Sequence, residues 1–141
     1  SYFRLSEEKN DEAYNVEIGK NIVIQERGKI VIIAVGTILK PVLEASAGLD
    51  VTIIYCTTVK PFDFASIKNH LDKKIMIIEP YYSGPILTNI SREVGDIKGY
   101  FSMLGVPNRF IDKYGTKNDI DRMIGLDPLS IRQKIIELID V

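Results

Sequence analysis

Residues 29–48 read KIVIIAVGTILKPVLEASAG. Six apolar residues run unbroken from Ile30 to Val35, the pattern of a strand buried on both faces. The run stops at Gly36-Thr37, and apolar residues then return at helical spacing as Ile38, Leu39, Val42, Leu43 and Ala45–Ala47. Thr37 is a suitable cap for that helix. Pro41 is tolerated only in a first turn, which places the helix start near Leu39 or Lys40, and Gly48 ends it. A strand that enters a helix through a glycine is one half of a βαβ unit, and it is also a frequent binding place for phosphates. Its neighbours decide whether Gly36 belongs to a site or to a scaffold.

Downstream the same alternation repeats. DVTIIYC (50–56) is a second buried strand, and TTVKPFD (57–63) is a loop. Asp63 is expected to cap a helix through Leu71 that carries Phe64, Ile67, His70 and Leu71. KKIMIIE (73–79) is a third strand, PYYSGP (80–85) a loop, and a helix runs from about Ile86 to Val94. KGYFSML (98–104) reads as a shorter strand and GVPNRFIDKYG (105–115) as an irregular loop. Two closing helices follow, one begun by Thr116 and one by Asp127 with Pro128 at its first position. Upstream, Ile22–Gln25 is a short strand that turns at Arg27-Gly28 into the first long one. Buried strands alternating with helices predict an α/β fold, a three-layer α/β/α sandwich around a mostly parallel five-stranded sheet.

The 141 residues suffice for one ordinary domain burying roughly 68–70% of its unfolded surface. With 45% apolar and 26% charged residues and a net charge of −1, the chain has no electrostatic footprint for nucleic acid. No apolar run reaches the roughly 18–20 residues that span a bilayer, and the first residues show no signal-peptide pattern, so the expected location is the cytoplasm. One cysteine, Cys56, and one histidine, His70, allow neither an internal disulfide nor a zinc constellation. SYFRLS (1–6) alternates like a strand but lacks any preceding turn, so the chain reads as a piece of something longer. SEEKNDEAYN (6–15) holds five charged side chains and no apolar period, and reads as a solvated linker at a domain boundary.

In open parallel sheets ligands sit at the carboxyl ends of the strands. The residues placed there are Gly36-Thr37, Cys56-Thr57-Thr58, Glu79-Pro80-Tyr81-Tyr82 and Leu104-Gly105. Gly36 and Thr37 form a candidate anion-binding turn, but the segment GTILKP matches no GxGxxG or GxxxxGK[ST] pattern, and a tight turn without ligand is preferred. Ile38-Leu39 contradict a flavin phosphate loop, and AVGT and IYCT lack the aspartates that a phosphate-accepting receiver domain needs. Cys56 is read as a packed thiol and His70 as an exposed residue at a helix end. Glu79 is either an acid with a raised pKa or a cap for backbone N–H groups near Ser83-Gly84, the second being preferred. With Tyr81 and Tyr82 it makes a candidate partner-contact loop. The residues alone offer a scaffold without a complete catalytic set.

The order of these motifs resembles the C-terminal domain of the transketolase family of thiamine diphosphate enzymes, which includes transketolase, deoxyxylulose-phosphate synthase and the beta subunits of 2-oxo acid dehydrogenases. SYFRLS resembles the last strand of the family's pyrimidine-binding domain, and EIGKNIVIQERGKIVIIAVGT resembles the start of its third domain. TTVKPFD, with Thr58, Lys60, Pro61 and Asp63, resembles the family's TIKPLD, while KKIMIIEPYYSGPILTNI and LGVPNRFIDKYGTKNDIDRMIGLD resemble its later segments. Tyr81 stands where the family has a histidine, and Gly84-Pro85 replaces a glycine-rich run. Glu7-Glu8 occupies the place of an arginine that helps hold a sugar phosphate, with Arg4 nearby.

The resemblance implies that residues 1–15 are the terminal strand and linker of a pyrimidine-binding domain and that residues 16–141 are the third domain. It implies a non-catalytic assembly role in an enzyme that moves a two-carbon ketol unit between sugar phosphates in the pentose phosphate pathway. Thiamine diphosphate and a divalent metal, Mg or Ca, would be held by the amino-terminal and pyrimidine-binding domains of a homodimer, in the same chain or in a separate subunit. This chain would bind no cofactor or metal and supply no catalytic residue. Two alternatives stay open: an autonomous small-anion or nucleotide-binding module built on Gly36-Thr37, and the C-terminal domain of a 2-oxo acid dehydrogenase beta subunit.

Overall fold

The structure, a computed structural model, describes residues 1–3, 5–95 and 99–141. Among them five strands make one sheet: β1 (Ile22–Gln25), β2 (Ile30–Val35), β3 (Thr52–Cys56), β4 (Lys74–Tyr82) and β5 (Phe101–Val106), in the spatial order β1-β3-β2-β4-β5. β2 pairs in parallel with β3 and β4, and β4 with β5, while β1 runs antiparallel along the β3 edge. The mostly parallel five-stranded sandwich read from the sequence is the observed fold.

Alternation along the central strands divides the core in two. Ile30, Ile32, Ala34, Ile53, Met76 and Ile78 face α1 (Leu39–Ser46) and α4 (Pro128–Asp140), through Leu39, Val42 and Ala45 of the first and Ile131, Ile135 and Leu138 of the second. Val31, Ile33, Val35, Ile54, Ile75 and Ile77 face Ile67 and α2 (Pro85–Val94), through Ile86 and Ile90. Each fully buried isoleucine contributes about 1.5–3 kcal/mol, so these layers dominate stability. Arg132 of α4 ties the two helices of the first layer together, its Nη1 donating to the carbonyls of Ala45 and Ala47 at 2.9 and 2.8 Å where α1 ends.

The closing helices carry the caps expected of them. Thr116 and Asp119 form a capping box at α3 (Lys117–Ile124), and Asp127 accepts from the Ser130 amide at 3.3 Å with Pro128 in the first turn of α4. Hydrogen bonds from Thr116 hold the Asp119 carboxyl below its ordinary range. Partial burial works against ionisation of Asp127, but the Ser130 hydroxyl and amide bring its pKa below the usual value as well. A depressed carboxylate stabilises the fold above its unfolded pKa, near 3.9, and that contribution is lost as pH falls through the lower folded value. Urea midpoints should therefore fall as the pH is lowered below about 4, and an Asp127→Asn chain, whose cap is uncharged, should lose less there.

Several local expectations are corrected. Thr37 makes no side-chain cap, because Gly36–Ile38 is a 3-10 turn that runs straight into α1 at Leu39, with Pro41 in the first turn. Asp63 does not cap a helix either. Residues Phe64–Ser66 and Lys68–His70 are two short 3-10 turns, and the Asp63 carboxylate instead accepts from the Asn21 amide at 3.0 Å. Three residues per turn align Phe64, Ile67 and His70 on the inward side, which is why His70 is buried rather than exposed. Its Nε2 lies 3.8 Å from Glu26 Oε1, and its buried Nδ1 has no hydrogen-bond partner.

β4 extends through Pro80 to Tyr82 where a loop was expected. Pro80 is accommodated because the pairing with β2 reaches only Ala34↔Ile78, and the β4–β5 ladder is irregular between Ile78 and Tyr82. β5 starts at Phe101 and includes Gly105 and Val106, so Leu104-Gly105 lies inside the strand; Lys98 of the expected strand, like Arg4, falls outside the described residues. Residues 1–3 and 5 form no strand, and Tyr2, Phe3 and Leu5 are exposed. No helix among the described residues is long and apolar enough to cross a membrane.

Candidate functional site

The carboxyl ends of β2, β3 and β4 meet at one edge of the sheet, since Val35 pairs with Cys56 and Ala34 with Ile78. Glu79 is fully buried there, on the same face of β4 as Ile75 and Ile77, beneath the start of α2. Its Oε2 accepts from the Gly84 amide at 2.7 Å and its Oε1 from the Ile86 amide at 3.2 Å. Pro85 between them has no N–H, so the carboxylate takes the two donors available where α2 begins. Both oxygens are thereby committed, and the positive end of the helix offsets the cost of burying the charge. The structure thus matches the cap reading of Glu79.

Tyr81 follows on the same face and packs against the α2-side core, its buried hydroxyl without a hydrogen-bond partner. Burial, and then the negative charge of Glu79, raise its pKa. Tyr82 points the other way and is 57% exposed, so of the candidate contact loop Tyr82 is the exposed member, Tyr81 is half-buried and Glu79 is fully buried. Burial likewise pushes the Cys56 thiol up to about 11, and its sulfur bonds the Thr58 carbonyl at 3.4 Å. That is an inert, packed thiol.

Gly36 and Thr37 lie beside this group, with Tyr55, Glu8, Lys9 and Asn10 around a cavity of about 170 Å³. Gly36 has a φ of +57°, and a Cβ added there would meet nothing within 4 Å, so its role is to turn the chain rather than to make room. Gly36→Ala is expected to cost about 1–2 kcal/mol in urea unfolding without loss of the fold.

The TTVKPFD loop acts as a clasp, which the sequence did not announce. Thr58 Oγ1 accepts from the Gly19 amide at 2.9 Å, Asp63 Oδ2 from the Asn21 amide, and Asn21 Nδ2 donates to Ser66 Oγ at 2.8 Å. On the other side Asn89 of α2 donates to the Val59 carbonyl at 2.9 Å, and the Lys60–Pro61 bond is cis. Two segments that resemble family motifs, IGKN and TTVKPFD, are therefore bonded to each other. The only signal for this in the sequence was their joint occurrence.

Comparisons with known proteins agree with this architecture. The chain is 32% identical over 139 residues to an uncharacterized 33.6 kDa protein in the fasciation locus of Rhodococcoides fascians, covering 95% of this chain and 45% of that protein. It is 30% identical over 128 residues to the 1-deoxy-D-xylulose-5-phosphate synthase of Vibrio parahaemolyticus, covering 86% of this chain and 20% of that one. It therefore spans less than half of the length of these relatives. Among solved structures, a split-gene transketolase described as an inactive beta4 tetramer superposes with a TM-score of 0.74 at 16% identity, over 90% of this chain and 44% of that one. The family described as "Transketolase, C-terminal domain" matches residues 19–131, and the chain belongs to that family.

Proposed function

We propose that this chain is the non-catalytic assembly domain of a transketolase-like thiamine diphosphate enzyme. The observation that carries the reading is Glu79. It is the one buried carboxylate among the described residues, it lies in the carboxyl-terminal half of a central strand, toward the end where α/β folds place their ligands, and both its oxygens hold α2 in place. The metal ion on a diphosphate takes free carboxylate and carbonyl oxygens, and both Glu79 oxygens already accept from backbone N–H groups. Among the described residues no three His, Cys, Asp or Glu side chains converge as a metal site. In this reading thiamine diphosphate and its Mg or Ca ion belong to amino-terminal and pyrimidine-binding domains outside this chain.

Residues 1–15, whose described members form no strand in this chain alone, then complete the pyrimidine-binding domain as its terminal strand and linker, and residues 16–141 pack against the catalytic domains in a cytoplasmic homodimer. The parent reaction is two-carbon ketol transfer between sugar phosphates, in the pentose phosphate pathway. A second reading, that the parent forms 1-deoxy-D-xylulose 5-phosphate, is supported by the name of the Vibrio relative.

Calorimetry tests the first step. Thiamine diphosphate with magnesium should give no binding heat with this chain alone, and should bind once the cofactor-binding domains are supplied. Micromolar binding by the chain alone would overturn the assignment. Product analysis of the assembled enzyme then separates ketol transfer from 1-deoxy-D-xylulose 5-phosphate formation.

A further inference from the structure

The charged segment before β1 is not free in solvent. Lys40 Nζ lies 2.8 Å from Asp11 Oδ1, and Lys117 Nζ lies 3.7 Å from Glu8 Oε1. Between these two pairs, Asn10 Nδ2 donates to the Tyr55 hydroxyl at 3.3 Å, and the rings of Tyr14 and Tyr55 meet edge to face at 5.6 Å. No helix or strand forms over residues 6–15, so side chains rather than backbone ladders hold the segment down. Glu8 borders two hollows at once: the small cavity with Gly36 and Thr37, and a larger one of about 440 Å³ that Lys40 and Lys117 line.

We propose that residues 6–11 form an electrostatic strap, with Asp11 on Lys40 and Glu8 on Lys117, that walls the cavity beside the Gly36-Thr37 turn and lifts away when those charges are screened. The four side chains are between 40% and 76% exposed, so each pair is weak and salt-sensitive. That weakness makes the contact reversible. Asp11 also holds the Lys40 ammonium above its usual range, in keeping with a formed pair. The device does not depend on which reaction the parent enzyme performs.

Trypsin supplies the test, because Lys9 lies within the strap and Lys113 lies in an exposed loop remote from it in sequence. Mass spectrometry of the full chain at low salt should show slow cleavage after Lys9. Lys40→Glu and Asp11→Lys should each speed that cleavage about two- to fivefold, as should roughly 0.5 M sodium chloride, with cleavage after Lys113 in the two variants at the parent rate. The double variant carrying Lys40→Glu and Asp11→Lys restores an opposite-charge pair and should recover most of the protection. Parent-like cleavage in both single variants, or a double variant as labile as the singles, would overturn the strap; so would equal acceleration at Lys9 and Lys113.

Discussion

Gly28→Ala is expected to leave little or no folded protein. Gly28 joins β1 to β2 with a φ of +60°, and a Cβ built there would stand 1.9 Å from the Asp50 carbonyl oxygen and 2.8 Å from its carbon. Those are main-chain atoms at the approach to β3, so no side-chain rotation relieves the overlap. Asp50 cannot retreat without pulling on the β2–β3 register, in which Val31 faces Thr52. The turn cannot retreat either, because Thr52 Oγ1 accepts from the Arg27 amide at 3.0 Å and donates to the Arg27 carbonyl at 2.7 Å. Left-handed backbone adds about 1–2 kcal/mol for any residue with a Cβ. The sum should exceed about 4 kcal/mol, a large share of the roughly 5–15 kcal/mol of a typical domain. Circular dichroism and urea unfolding would read it directly. A variant within about 1 kcal/mol of the parent would mean that the close approach at Asp50 is soft. Gly36→Ala, with the same backbone sign and open space around it, is the control that isolates the conformational share.

What could be read before folding, and what could not, divides by the range of the interaction. Ile30–Val35 announced a central strand because burial on both faces leaves no alternation to confuse. Thr116 and Asp127-Pro128 announced helix starts because their partners, Asp119 and Ser130, lie three residues away. Glu79 was legible for the same reason: Gly84 and Ile86 are near in sequence, and Pro85 marks a helix start. The segment after Asp63 departs from the expected helix because Phe64, Ile67 and His70, at i, i+3 and i+6, suit a 3-10 turn and the first two turns of an α-helix alike. Only packing of Ile67 into the α2-side core decides between them, and it carries His70 inside. The clasp and the strap were invisible on other grounds. Thr58 lies 39 residues from Gly19 and Lys40 lies 29 from Asp11, so a charged or polar stretch looks solvated until the fold brings its partner to it.

Glu79→Ala should be the most damaging change that keeps every backbone conformation allowed. The substitution removes the acceptor for two amides, Gly84 and Ile86, at a position with no exposed surface. A donor left without a partner costs about 1–3 kcal/mol, with the larger share at the buried Ile86 amide and the smaller at the half-buried Gly84 amide. Losing the charge recovers part of its own burial cost, so a net loss of about 3–5 kcal/mol is expected in urea unfolding. Glu79→Gln should fall between this and the parent. Its amide oxygen can serve one N–H, but its amino group then faces the other, donor against donor. Hydrogen exchange should locate the damage, with faster exchange through Ile86 and Ile90 in α2 and little change in α3 and α4 on the remote side. The pair of variants also separates scaffold from chemistry. A structural carboxylate predicts that the activity of the assembled enzyme falls only as far as folded protein is lost, and returns when Glu79→Gln is assayed under stabilising conditions. A Glu79→Gln enzyme that is fully folded yet inactive would instead make this carboxylate an acid or a ligand, and the cap reading of Glu79 would have to be abandoned.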